Sequence, residues 1–456
     1  MKKSIAVIVV CLVFVFTYSP APADAASTWP AVKPSVVIKA DPSNMVSGYL
    51  ADLDYVQMEW ATRGMPGERV IPRVRPGQIV QIDTVNIVGL TMGDISGNKA
   101  LLREWGVDPD SEIGQTLINV AEHLRGGHVL TGPVYIEGAE PGDVLEVRVI
   151  DVNLPTPYGR CQQRPGAGSI PTHVPETYTK IIQLDLENEV ALFDENIRYK
   201  LAPFMGIMGL APEKGYTPSD RYVNYGYTAS SPPGPFAGNL DLKRLTRGAT
   251  LYIPVFQYGG LFYAGDAHAS QGNGEVSVNG IEASLSGIFQ FILHKRDQAT
   301  GYLKDLDHPF AETPTHYVPI GLGAREARDL NSAIVDATLE TIKFLQKEKG
   351  MSWQEGLALA SVAIDFEVTQ AVDSTLGIHS MVDKSMWFNE KQEYWYDDLR
   401  SITDPCACIE SAMAKFNAGK CITKADGTPL FPAVCAAREA ELKVCTDACN
   451  AFLGRP

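Results

Sequence analysis

Between residues 35 and 151 the apolar positions come in short bursts separated by Gly and Pro. The bursts at 70–74, 79–85, 134–136 and 144–149 have the length and β-branched content of strands. Similar runs at 250–256, 275–278 and 287–293 predict more of them. Glu140-Pro141-Gly142-Asp143 lies between two of these runs and reads as a turn, because Pro presets φ at the second position and Gly relaxes the third. Residues 202–238 break the rhythm. They are rich in Gly and Pro, contain Ala229-Ser230-Ser231-Pro232-Pro233-Gly234-Pro235, and read as a long loop of the kind that carries function.

The period changes near residue 324. Leu330, Ile334, Ala337, Leu339, Ile342 and Leu345 recur at close to the helical period, and Gly350 follows as a stop. Residues 353–372 read as a second helix, with Ser352 as N-cap and Glu355 completing a capping box. Two helices packed on sheets predict a β-rich α+β fold: a sandwich or barrel-like β domain, with a smaller α/β portion that carries the two C-terminal helices.

Composition narrows the class. A chain of 456 residues, 45% of them hydrophobic, can bury a large core. Its net charge of −15 offers no dense Lys/Arg face, so nucleic acid is excluded as a partner. Met1-Lys2-Lys3, an apolar run at 5–18 and Ala23-Asp24-Ala25 read as a secretory signal over residues 1–25, so the mature chain is expected to begin near Ala26. The run is shorter than the about 20 residues that cross a bilayer, so no membrane association is expected of the mature form. The expected location is secreted, periplasmic or extracellular.

Cysteine placement agrees with export. Cys11 leaves with the signal, and Cys406, Cys408, Cys421, Cys435, Cys445 and Cys449 crowd into an extension at 387–456. In an oxidising compartment this even set predicts disulfides, with thiolate metal ligation as the rival reading. Cys161 is left over and reads as a small buried hydrophobe.

The candidate chemistry gathers at Gly265-Asp266-Ala267-His268-Ala269-Ser270-Gln271-Gly272-Asn273-Gly274-Glu275. If the strand before it continues, Asp266 and His268 point to the same face, and both side chains can ligate a divalent ion. Gly238-Asn239-Leu240-Asp241 precedes the preceding strand and Glu282 follows, so neighbouring strand ends would bring more acids to the same place. Other nucleophile arrangements fail. There is no Gly-x-Ser-x-Gly elbow, Ser230 and Ser231 have no nearby lysine, Cys161 has no adjacent histidine, and no Gly-rich phosphate loop is present. Hydrolysis would therefore run on a metal or on carboxylate and histidine groups.

These residues resemble the paired signature of the acetamidase/formamidase family. Other segments follow in that family's order: 130–143, Gly206-Ile207-Met208-Gly209-Leu210-Ala211-Pro212, Glu312-Thr313-Pro314-Thr315-His316-Tyr317, Asp365-Phe366-Glu367-Val368-Thr369-Gln370 and Gly377-Ile378-His379-Ser380-Met381. Ala267 and Asn273 depart from the residues usual at their positions. The resemblance covers about residues 35–386, makes 26–386 the catalytic region, and leaves 387–456 outside the pattern.

What the resemblance implies is hydrolysis of a short linear amide to a carboxylate and ammonia. For that reaction Asp241, Asp266 and His268, with His128, would hold a divalent metal, zinc by expectation. Glu275 or Glu137 would move the proton to the departing nitrogen. Gln271, His316 and His379 are the expected substrate-binding residues. His123, His294 and His308 read as structural, and Met205 and Met208 as packing. The partner is a small amide, and homo-oligomerisation stays open. The alternative is a non-catalytic periplasmic binding protein on an amidase-like scaffold.

Overall fold

The computed structural model describes residues 32–124, 128–214, 216, 227–323, 329–390 and 394–397, together with 436, 439, 440, 442–447 and 449. Residues 1–25, read above as a secretory signal, and most of the cysteine-rich extension lie outside the described residues. Of the six extension cysteines, Cys445 and Cys449 lie within them, and both are buried. No helix among the described residues is long and apolar enough to cross a membrane.

Two sheets face one another. The wider has nine strands, in the order Val36–Ile38, Ile79–Thr84, Leu285–His294, Val144–Asn153, Thr250–Pro254, Phe310–Glu312, His316–Leu322, Gly377–Asp383 and Asp365–Gln370. The second runs Ala237–Asn239, Phe204–Gly209, Phe262–His268, Val129–Ile136 and Met45–Ser47, with Arg73–Val74 added in parallel beside Val129–Ile136. Val80, Ile82, Leu145, Val147, Phe289 and Phe291 of the first share one core with Val134, Met205, Phe262 and Ala264 of the second. Phe262 meets the rings of Phe289 and Phe291 edge-on at 6.1 and 5.0 Å. This is an α+β fold with stacked sheets, and among the described residues neither closes into a barrel. Met205 and Met208 pack in the shared core, as expected.

A smaller sheet of Tyr158–Gln163, Tyr178–Asp185, Val190–Leu192 and Arg198–Lys200 stands beside these two. It is tied to the rest where Arg160 and Glu282 exchange backbone hydrogen bonds of 2.9 and 2.8 Å.

The helical pair forms where the period changes. Helix Leu330–Lys349 is capped by Asp329, whose side chain accepts from the N–H groups of Asn331 and Ser332, and it ends at Gly350 in the left-handed region at φ +64°. Ser352 and Glu355 form the expected capping box on helix Trp353–Ala363. That helix stops well short of residue 372. Asp365–Gln370 is a strand paired antiparallel with Gly377–Asp383, because Phe366, Glu367 and Val368 gain cross-strand partners that a helix would deny them.

Other expectations also need correction. Residues 275–278 are not a strand: Glu275 and Val278 have left-handed backbone, φ +44° and +72°, which ends any extended run. Within 202–238, Phe204–Gly209 is an interior strand of the second sheet. Three helices, Leu53–Thr62, Ile95–Glu104 and Glu112–His123, lie in the part read as strands alone, capped by Asp52, Asp94 and Ser111. They are short. The apolar faces of the last two close only against each other and their surroundings, through Leu102, Trp105, Leu117 and Val120.

Helix Leu330–Lys349 sits hard against strand His316–Leu322 at Gly321, where a Cβ would fall 2.1 Å from the Ala337 amide nitrogen. Backbone cannot yield there without moving the helix. Gly321→Ala should therefore destabilise the protein by about 1–3 kcal/mol, read as a lower Tm and denaturant midpoint. An unchanged midpoint would show that the helix is free to lift off the sheet.

Candidate active site

Three adjacent strands build the floor of the site. Phe204–Gly209 lies between Ala237–Asn239 and Phe262–His268, antiparallel to both. Asp241, just past the first neighbour, and Asp266 and His268, at the end of the second, meet across Gly206. A Cβ at Gly206 would come 2.5 Å from Asp241 Oδ1 and 2.6 Å from the Asp266 carbonyl oxygen, so only glycine admits both acids. The Gly206 carbonyl accepts the Asp241 N–H at 3.2 Å.

Asp241, Asp266 and Glu275 all have left-handed backbone, with φ +49°, +48° and +44°. At non-glycine residues such geometry costs on the order of 1–3 kcal/mol each and persists only where the surroundings impose it. Here it turns three carboxylates toward one histidine.

His268 has no exposed surface. The Phe204 ring stands edge-on to it at 5.2 Å, and a Cβ at Gly280 would come 3.0 Å from its ring. Its Nε2 lies 3.0 Å from Glu282 Oε1 and 3.9 Å from Asp266 Oδ2, while Nδ1 lies 3.9 Å from Asp241 Oδ1. The contact with Glu282 is ionic and off the line of a hydrogen bond, so both ring nitrogens lack hydrogen-bond partners. Asp241 Oδ1 is orphaned in the same way. Asp266 and His268 share a side of their strand, as their spacing predicts. Donor atoms of Asp241, His268 and Glu275 lie within 4.8 Å of one another, and so do those of Asp266, His268 and Glu282.

Above them is a cavity of about 490 Å³, lined by Asp241, Asp266, Glu275, Glu282, Asp373 and His128 among others. So many acids in so little water shift one another. Burial first, then Asp266 and Asp373, push the Asp241 carboxyl well above its ordinary range. Burial and Asp241 do the same to Glu275. Asp373 rises to about 7 through burial and Asp266, although His128 pulls it down. Burial opposes charge on His268, but Glu282, Asp266 and Glu275 outweigh it and raise its pKa to about 10.

The structure thus brings Asp241, Asp266, His268, His128 and Glu275 together. His128 stands at the cavity wall, its Nδ1 3.0 Å from Ser230 Oγ and its Nε2 3.8 Å from Asp266 Oδ2. Gln271 is buried behind the floor, where its amide nitrogen donates to the Asp241 carbonyl at 2.8 Å. His379 is buried as well and does not line the cavity: Nδ1 is 2.8 Å from Thr369 Oγ1 and Nε2 3.1 Å from Glu367 Oε2. Glu367 also accepts from Arg244 and Asn273, and Gly274 exchanges backbone hydrogen bonds with Thr369 and Ala371. This network pins the turn that presents Glu275. His316 lies on the wide sheet opposite Asp383, and Glu137 is exposed; neither lines the cavity. His123, His294 and His308 lie outside it, facing Asn119, Glu146 and Asp307.

Asp373 is the site residue that sequence reading missed. It occupies the turn between Asp365–Gln370 and Gly377–Asp383, where Asn239 Nδ2 donates to it at 2.8 Å. The polar break 373–375 between two β-branched runs was the available signal, hidden by reading helix through to 372.

Residues 110–221 and 223–382, well over half of the chain, match the Acetamidase/Formamidase family. The chain belongs to that family. A formamidase of Methylophilus methylotrophus is 24% identical over 383 residues, covering 71% of this chain and 89% of its own length. An acetamidase of Mycolicibacterium smegmatis is 28% identical over 203 residues, covering 34% of this chain and 50% of its own. The crystal structure of an acetamidase from Bacillus halodurans shares the fold, with a TM-score of 0.57 at 23% identity, over 77% of this chain and 98% of that one. The cavity acids Asp241, Asp266, Glu275, Glu282 and Asp373 all fall within the matched residues.

The raised pKa of Asp373 fixes a sign for pH dependence. A carboxyl whose folded pKa exceeds its unfolded value favours folding below the unfolded pKa, near 4, and that contribution is lost as pH rises through the folded value of about 7. In metal-stripped protein, Asp373→Asn should match the parent near pH 4 and exceed it in stability at pH 8, by on the order of 1–4 kcal/mol. Thermal unfolding across that range reads the difference; parallel curves for the two proteins would remove the assigned strain.

Proposed function

We propose that this protein is an exported hydrolase that cleaves the C–N bond of a linear amide to give a carboxylate and ammonia, with a divalent metal at His268. Family membership supports the reaction class, and the names of the formamidase and acetamidase relatives support a linear amide as substrate. The observation that carries the site is the buried His268, whose ring nitrogens make no aligned hydrogen bond although Asp241, Asp266, Glu275 and Glu282 surround it. Unpartnered buried donors cost free energy unless something binds them.

The donor set fits a cation. Asp241, His268 and Glu275, or Asp266, His268 and Glu282, would hold it, with His128 at the wall; mixed imidazole and carboxylate ligands suit zinc. A bound divalent ion supplies positive charge that polarises a carbonyl oxygen and lowers the pKa of water. The chain's own groups do the rest. Asp373, raised to about 7, can hold a proton near neutral pH and release it to the departing nitrogen, a poor leaving group unless protonated; Glu275, pushed up by burial and Asp241, would share that task where it does not hold the cation. Asn239 orients the Asp373 carboxyl, and Gln271 holds the turn of Asp241.

Export rests on the basic start and apolar run of residues 1–25, and disulfide bonding on the six cysteines of 387–456. Neither is needed for the chemistry.

Ammonia release from formamide, acetamide and longer amides, with and without added zinc, tests the reading. His268→Ala should lose bound metal and reduce turnover by at least about 10²-fold, while far-UV circular dichroism stays that of the parent. Full activity after metal removal would overturn the metal assignment. A folded, metal-loaded protein that releases ammonia from no amide would instead support a binding protein.

A further inference from the structure

The cavity is larger than its simplest substrates require. At about 490 Å³ it falls in the range of about 300–1,000 Å³ that holds drug-sized ligands, whereas formamide and acetamide are only a few atoms. Its wall is also chemically unlike its floor. The floor carries the acids and His268, and one wall comes from the small sheet, where Arg160 and Gln162 of strand Tyr158–Gln163, followed by Arg164, line the same space.

Arg160 is the unusual member. It is only 9% exposed, and its guanidinium makes no hydrogen bond or ion pair among the described residues. Glu282, its backbone partner, is the nearest acid, yet Glu282 already uses Oε1 against His268 at 3.0 Å and Oε2 against Asn86 Nδ2 at 3.3 Å. Burial works against the charge of Arg160, the Glu282 carboxylate favours it without touching it, and the neighbouring Arg164 works weakly against it. A buried guanidinium carries five donors that can grip a carboxylate in two parallel hydrogen bonds, and leaving them unmet is costly. The fold keeps this guanidinium on the cavity wall with Glu282 as a nearby countercharge but, among the described residues, with no carboxylate in direct contact with it.

We propose that Arg160, with Arg164 at the mouth, binds a carboxylate at the far end of the substrate, so that the preferred substrates are monoamides of short dicarboxylic acids. This rests on the amidase reading above and deepens it: the floor handles the amide and the wall selects the anionic tail. The acids on the floor would spend their charge on the cation they hold, which leaves the wall to meet the anionic tail.

The experiment has two arms on the zinc-loaded full chain. In the first, kcat/KM for succinamate is compared with that for butanamide, in the parent, Arg160→Gln and Arg160→Lys. The parent should favour succinamate by about 10- to 100-fold, the worth of one charge-assisted hydrogen-bonded contact; Arg160→Gln should bring the ratio near one, and Arg160→Lys should keep part of it. An equal ratio in the parent and Arg160→Gln, or a parent that favours butanamide, overturns the proposal while leaving amide hydrolysis standing. In the second arm, binding of succinate is measured by calorimetry without turnover. A loss of about tenfold or more in Arg160→Gln supports the anion site even if no amide is cleaved, which separates it from failure of the amidase reading. Equal binding by both proteins, or none by either, overturns it. Matching circular dichroism spectra certify that the variants are folded.

Discussion

The crowding of carboxylates around one buried histidine is the constraint on which the rest of this structure depends. Asp241, Asp266, Glu275, Glu282 and Asp373 share a cavity with His268 beneath it, and several would be repelled if all were ionised in so little water. Such an arrangement survives only on a rigid frame. The frame is the second sheet, whose interior strand Phe204–Gly209 is paired on both sides and packed through Met205 against the wide sheet.

Strain and shape then follow from that requirement. Gly206 is bare so that two aspartates can face each other across it, and three acids adopt left-handed backbone to reach the same histidine. The supporting network is polar and buried: Gln271 under Asp241, Asn239 against Asp373, and His379 with Thr369 and Glu367 beneath the Glu275 turn. These residues act on the chemistry by holding others in place. His379 illustrates the difference, since it lies in a motif segment of the family and yet stands behind the cavity wall.

Much of the frame was legible along the chain. The runs at 79–85, 144–149 and 287–293 are strands of the wide sheet, and the change of period near 324, the stop at Gly350 and the capping box at Ser352 and Glu355 mark the helical pair. Each is a local signal: apolar periodicity, a cap or a left-handed glycine. What was read wrongly depends on distant partners. Asp365–Gln370 is a strand because Gly377–Asp383 lies beside it, and the helices Ile95–Glu104 and Glu112–His123 are held by a core that no ten-residue window contains. Residues 202–238 looked like loop because Gly206 and Gly209 mimic turn chemistry, whereas they mark close backbone approach within a sheet.

For the site the division is similar. Sequence by itself determined that Asp266, His268 and Glu275 lie near one another and that Asp241 belongs with them, since strand spacing and a collinear family pattern carry that information. Tertiary structure alone decided that Asp373 joins the cavity, that Glu137, His316 and His379 do not line it, and that Arg160 stands on its wall with no direct hydrogen bond or ion pair among the described residues. The physical reason is range. Periodicity reports which face of its own element a residue occupies, but a shared cavity is set by the pairing of strands far apart in the chain. Charge compensation, which makes Arg160 informative, exists only once those strands are in place.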